Sequence, residues 1–267
     1  MPDLSTAATM TIGGESAETV ATFGVINPAT ASVFAQAPEC TPEQLDQAMT
    51  SAASAFGAWS QDLELRRECL RQAADVLAAA SDDLGPLITA EQGKPLKDAR
   101  NEGRVAAMWL RYYAEFDLPT QVIRDDAQSL VEVVQRPLGV VAAICPWNVP
   151  VVVAAFKIAP ALRAGNTVVL KPSPFTPLST LRMGELLRGV LPPGVLNVVS
   201  GGDELGRWMT GHPTPAKISF TGSIATGQAI AASAAPDLKR LTLELGGNDP
   251  AIVLDDADPE VVGEQLF

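Results

Sequence analysis

From Gly139 onward the chain alternates short apolar, β-branched runs with longer amphipathic segments, and this period constrains the fold more than any other feature. A strand buried on both faces reads as a continuous apolar run, and a helix bridging two parallel strands reads as an amphipathic stretch. The pattern therefore predicts an α/β protein whose βα units feed a doubly wound parallel sheet of Rossmann type. Strands are expected at Val140–Cys145, Thr167–Lys171, Leu196–Ser200, Lys217–Thr221, Arg240–Leu245 and Ala251–Leu254. Helices fall between them at about 151–163, 178–190, 203–210 and 224–235.

The region before Gly139 reads differently. Residues 11–38 form short strands joined by turns such as Asn27-Pro28-Ala29-Thr30. Thr41-Pro42-Glu43 then opens a helix with a cap, a proline at the first helical position and an early acid. Further helices are expected at 63–80, 82–91 and 95–116, and the alanine-rich character of this section is read as packing. Leu130-Val-Glu-Val-Val is a strand that Pro137 closes. The chain divides into residues 1–119, strands and helices packing on the core; residues 120–138, a strand hairpin; and residues 139–267, the core itself.

Charge and residue usage exclude several functions. With 19 basic and 31 acidic groups the net charge is −12, which argues against nucleic-acid binding. The first 138 residues carry 10 basic and 20 acidic groups and the rest 9 and 11, so an anionic ligand is better tolerated in the second half. Cys40, Cys69 and Cys145 are odd in number and widely spaced, which fits neither a disulfide framework nor a zinc site, and no metal is expected. The single histidine, His212, lies in Gly211-His212-Pro213 and reads as a surface or capping residue. Met1 to Glu15 has neither a basic residue nor an apolar stretch of leader type, and no run is long enough to cross a bilayer, so a soluble cytoplasmic protein is the expectation.

In an open parallel sheet, ligands sit beyond the carboxyl ends of the strands. The segments there are Pro146-Trp147-Asn148-Val149-Pro150, Lys171-Pro172-Ser173-Pro174, Gly201-Gly202, Gly222-Ser223 and Gly246-Gly247-Asn248. They are rich in glycine, amide and hydroxyl groups. The dinucleotide fingerprint G-x-G-x-x-G is absent, and so is Tyr-x-x-x-Lys, which counts against an ordinary Rossmann reductase.

Five segments, in order, resemble the NAD(P)-dependent aldehyde dehydrogenase superfamily: Asn27-Pro28-Ala29-Thr30; Pro146-Trp147-Asn148-Val149-Pro150 with Lys157; Gly165 to Ser173; Phe220-Thr221-Gly222-Ser223 with Gly227; and Leu243 to Pro250. The resemblance runs from about residue 22 to the end of the chain. It implies an NAD(P)+-dependent oxidation of a small-molecule aldehyde to a carboxylic acid through a thiohemiacetal and a thioester, with NAD or NADP as cofactor. Asn148 is similar to the family's oxyanion donor and Glu244 to the general base that activates water. A carboxylate leaving the apolar strand at Leu243 and Leu245 for a glycine turn is expected to be partly desolvated, which suits a base. Lys157 resembles a lysine beside the catalytic pocket, a candidate proton relay that is costly to bury without a partner.

The cofactor side carries over in the same way. Lys171 and Ser173 resemble the adenosine-ribose contacts, and Gly222 with Ser223 the helix N-terminus that meets the pyrophosphate. Cys145, Pro146, Trp147 and Leu245 occupy positions that line the cofactor. Gly227 is expected to permit a close helix–strand or helix–cofactor approach. Family members commonly pair through a strand-rich arm whose first part resembles residues 120–138, so homo-oligomers are typical, with the arm incomplete here and a sheet edge left exposed.

Two features depart from the family. Its nucleophilic cysteine lies on a Gly-Gln-x-Cys-type loop beyond the position of Glu244, and no such loop occurs in these 267 residues. The chain therefore reads as truncated before its nucleophile, and the competing reading is a non-catalytic dinucleotide-binding remnant. Pro174 stands where NAD-selective members often carry a glutamate, so nothing there repels a 2′-phosphate and NADP is acceptable. Val149 takes a position that is often aromatic, which implies a wider substrate entrance.

Overall fold

The computed structural model describes residues 8–266; residues 1–7, part of the stretch read above as free of a leader, lie outside them. Four N-terminal strands, β1 (Met10–Ile12), β2 (Glu15–Ala17), β3 (Thr22–Asn27) and β4 (Ser32–Pro38), precede four helices. These are α1 (Pro42–Gln61), α2 (Leu63–Ala79), α3 (Ser81–Gln92) and α4 (Leu96–Glu115). A hairpin of β5 (Gln121–Asp125) and β6 (Leu130–Val133) follows. The alternating region then runs β7 (Val140–Ile144), α5 (Pro150–Arg163), β8 (Thr167–Lys171), α6 (Leu178–Leu187), β9 (Leu196–Val198), α7 (Asp203–Gly211), β10 (Pro215–Gly222), α8 (Ile224–Ala234), β11 (Arg240–Leu245) and α9 (Pro259–Leu266).

Local chemistry starts the helices where the sequence indicates. Thr41 and Gln44 form a reciprocal capping box at α1, with Pro42 in its first turn, and Asp62 caps α2 by accepting from the Leu65 amide at 2.9 Å. His212 follows α7, and its Nδ1 accepts from the Thr214 amide at 3.2 Å, which holds the turn that leads into β10.

β7 to β11 form five parallel strands in the order β11-β10-β7-β8-β9. The path moves outward from β7 through β8 to β9, then crosses to the other side of β7 for β10 and β11. β7 and β8 are buried along their whole length, as expected for strands covered on both faces. α5 and α6 cover one face and α7 and α8 the other, the arrangement that right-handed crossovers require. α1 joins the second face, where the Thr167 hydroxyl donates to the Ala52 carbonyl at 2.8 Å. The Gly165-Asn166-Thr167 segment starts two strands at once, because Asn166 Oδ1 accepts from the amides of Leu138 (2.6 Å) and Gly139 (3.1 Å) just before β7.

Three features differ from the sequence reading. β1 and β2 extend the same sheet, β1 pairing antiparallel with β9 through Thr11 and Val198. They are anchored by Asn197, whose Oδ1 accepts from the Gly13 amide at 2.8 Å, and by Arg188, which donates to Thr11 and to the Met10 carbonyl. Ala251–Leu254 is no strand: Ile252 and Leu254 are exposed and no described segment pairs with them. A β-branched run becomes a strand only where another backbone takes its hydrogen bonds. α6 ends at Leu187 rather than near 190, ahead of Gly189 and Pro192.

Candidate functional site

The strand order reverses between β7 and β10, and the crevice beyond their carboxyl ends is where an open α/β sheet accepts ligands. Two segments open onto it: Pro146 to Val149 between β7 and α5, and Gly222-Ser223 where β10 ends and α8 begins.

Register assigns the side chains to faces. Thr221 pairs with Glu244 and Gly222 with Leu245 across β10 and β11, and paired residues of parallel strands project the same way. Lys157 of α5 donates to Ser219 (3.2 Å) and Thr221 (2.9 Å), so Lys157 and Glu244 share the α5 face of the sheet. Lys171 pairs with Ile144, which pairs with Phe220 on β10, one residue out of phase with Ser219 and Thr221. Lys171, Gly222 and Leu245 therefore belong to the opposite, α8 face. The candidate acid–base groups and the candidate cofactor groups are separated by the thickness of the sheet.

On the α5 face, Lys157 is buried and its pKa is lowered, chiefly by desolvation, while Cys145 and Glu244 act to raise it. A lysine held in this way suits proton transfer. Glu244 is exposed, contrary to the expected desolvation, because β11 is the edge strand and the glycine turn after it makes no cover. Asn148 is also exposed, and the Lys94 ammonium donates to its main-chain carbonyl at 2.8 Å. The preceding carbonyl, of the exposed Trp147, accepts from the Thr176 hydroxyl at 3.3 Å. Pro146 is half-buried. Cys145 is buried, its amide donates to the Lys171 carbonyl at 2.9 Å, and burial pushes its thiol up to about 12.

On the α8 face, Lys171 is buried and burial brings its pKa down to about 8. Its ammonium makes one hydrogen bond, 3.2 Å to the adjacent Pro172 carbonyl, and no carboxylate of the described residues lies within ion-pair distance. Ser173 is buried, its hydroxyl accepting from the Phe175 amide. Ser223 caps α8 by accepting from the Thr226 amide at 3.1 Å. A side chain at Gly222 would strike the Phe220 ring, and a Cβ at Gly227 would lie 2.6 Å from Leu245, so Gly227 serves close helix–strand approach. A buried ammonium with spare donors, bare backbone at Gly222 and a helix N-terminus fit a dinucleotide phosphate and ribose.

Sequence reasoning missed Glu91, Lys94, Glu102 and Thr176, which frame this crevice. Glu102 caps α5, accepting from the amides of Val151 (3.1 Å) and Val152 (3.5 Å), and pairs with Lys94. Glu91 caps α6, accepting from the amides of Leu178 (2.7 Å) and Ser179 (3.0 Å) and from the Ser179 hydroxyl. A signal was present: Glu102 interrupts the otherwise apolar stripe of Ala99, Gly103, Ala106 and Leu110 on α4.

Residues 15–267 match the aldehyde dehydrogenase family. The chain is 43% identical over 248 residues to the aldehyde dehydrogenase LUC3 of a Fusarium species, covering 92% of this chain and 52% of that protein. It is 41% identical over 274 residues to the phenylacetaldehyde dehydrogenase of Pseudomonas fluorescens, covering 96% and 54% respectively. Among solved structures, betaine aldehyde dehydrogenase from Staphylococcus aureus in complex with NAD+ superposes with a TM-score of 0.92 at 35% identity, covering 97% of this chain and 53% of that one. The chain thus spans about half the length of the relatives it matches.

Proposed function

Because this chain belongs to the aldehyde dehydrogenase family, we propose that its residues supply the dinucleotide site and three of the polar catalytic groups for oxidation of an aldehyde, with water, to a carboxylic acid. The observation that carries the reading is the two-sided crevice: Lys171, Gly222 and the α8 N-terminus on one face of the sheet, Lys157 and Glu244 on the other, and Asn148 at the strand-order reversal between them. The cofactor, when bound, accepts a hydride from the substrate carbon. Lys171 and Ser173 hold the ribose side, the Gly222-Ser223 turn meets the pyrophosphate, and the Asn148 amide donates to the carbonyl oxygen as it gains charge, a contribution on the order of 3 kcal/mol. Glu244 takes the proton of the attacking water, and Lys157 passes protons through Ser219 and Thr221.

This reading admits either NAD+ or NADP+: Pro174 brings no acid to Lys171, and the carboxylates that act on its ammonium, Asp203 and Glu39, lie beyond ion-pair distance. The β5–β6 hairpin, a separate two-stranded sheet exposing Val122, Ile123, Leu130 and Val131, is the surface we assign to pairing with a second copy. One observation favours a second reading, cofactor binding without turnover. All three cysteines are buried and burial pushes the Cys40 and Cys145 thiols up to about 12, so these residues present no thiolate to the aldehyde. Calorimetry with NAD+ and NADP+, followed by reduced-cofactor formation from a panel of aliphatic and aromatic aldehydes, tests both readings. Binding with turnover supports the first, binding alone supports the second, and no binding rejects both.

A further inference from the structure

Asn148 lies in a loop, yet the two peptide groups that flank its Cα are each held by a side chain from another part of the chain. The Trp147 carbonyl accepts from Thr176, and the Asn148 carbonyl accepts from Lys94 at 2.8 Å. Lys94 is itself fixed. Its amide donates to Gln92 Oε1 at 2.9 Å, and it follows Gly93, which ends α3 in the left-handed region with φ 91°. Its ammonium pairs with one oxygen of Glu102, a side chain with only 4% exposure, whose other oxygen caps α5 at Val151. One buried carboxylate thus ties the start of α5 to the ammonium that grips Asn148, two positions before it.

We propose that Lys94 is a positioning residue for Asn148: through its bond to the Asn148 carbonyl it sets the peptide orientation that aims the Asn148 side-chain amide into the crevice. A bare lysine on the surface would make no such contact worth its side-chain entropy. Here the Glu102 carboxylate, desolvated and already committed to α5, orders the ammonium in advance. The catalytic meaning of the clamp rests on the oxyanion role proposed for Asn148. The clamp itself does not.

The sequence offers a direct probe. Carbonyl-13C asparagine combined with 15N-valine marks only peptides in which valine follows asparagine, and the chain has two, Asn148-Val149 and Asn197-Val198. In the 267-residue protein, Lys94→Met is expected to move the Asn148-Val149 carbonyl resonance upfield, as a carbonyl losing a donor does, and, in a second sample labelled with 15N-asparagine, to broaden the Asn148 side-chain amide. The Asn197-Val198 signal, in β9, stays in place, and Lys94→Arg restores the first signal toward its original position. Because Lys94→Met leaves Glu102 buried and unpaired, the same measurement is made in Lys94→Met combined with Glu102→Gln, which removes both charges and keeps an acceptor for α5. An unmoved Asn148-Val149 signal in the double variant overturns the proposal, and so does an equal movement of the Asn197-Val198 signal. Loss of NAD+ binding or of aldehyde oxidation in the unmodified chain would instead count against the function proposed above.

Discussion

Glu91 and Glu102 sit on the consecutive helices α3 and α4, and each closes the N-terminus of a helix on one face of the sheet, Glu91 that of α6 and Glu102 that of α5. Both are buried, so orphan amide donors at the two helix starts are met by carboxylates that have left water. Desolvation is the dominant influence on each and raises both pKa values, that of Glu91 to about 7.

The first prediction follows from that shift. Below about 4.5 Glu91 is protonated in folded and unfolded chains alike and its contribution is whole. Between about 4.5 and about 7 the folded protein holds a proton that the unfolded chain has released, so stability falls as pH rises through this window. The full fall is about 3 kcal/mol. Urea unfolding across the window is expected to show this slope, and Glu91→Gln to flatten it, leaving the smaller slope due to Glu102. An unchanged slope in the variant would assign the effect elsewhere.

Lys171 gives a second pH dependence. Its ammonium is charged below about 8 and neutral above, so affinity for NADP+ is expected to drop as pH passes about 8 while affinity for NAD+ changes less. Lys171→Ala should weaken NADP+ about 10- to 100-fold, the worth of a charge-assisted hydrogen bond, and NAD+ by less. Calorimetry with both cofactors measures the difference, and equal losses would contradict the assignment.

A third expectation concerns chemistry at Cys145. With its thiol at about 12, the thiolate fraction near neutral pH is negligible, and Cys145→Ser should leave reduced-cofactor formation from aldehydes unchanged. Turnover that this substitution abolishes would make Cys145 a nucleophile after all.

Gly93→Ala tests the turn that delivers Lys94. Gly93 has φ 91°, and an added Cβ would lie 2.8 Å from Pro28, so strain and a clash act together. The expected loss is about 1–3 kcal/mol in chemical unfolding, whereas Gly57→Ala in α1, where an added Cβ meets nothing, should be neutral or stabilising.

The sequence by itself determined what depends on neighbours along the chain. The period from Gly139 onward places five parallel strands, Thr41-Pro42 starts α1, and the loops at the strand ends carry the candidate chemistry, because apolar periodicity and capping act over a few residues. Tertiary structure decided the rest. Ala251–Leu254 has the composition of a strand and no partner, whereas the short β1 becomes one because Asn197 and Arg188 hold it against β9. Glu91, Lys94 and Glu102 looked like part of a packing section, and their partners Leu178, Asn148 and Val151 lie far along the chain. The exposure of Glu244 follows from strand order, and the division of the site between two faces from the register of the paired strands. Such contacts form only once the sheet brings distant segments together, and a buried charge keeps its place only where those segments supply its hydrogen bonds.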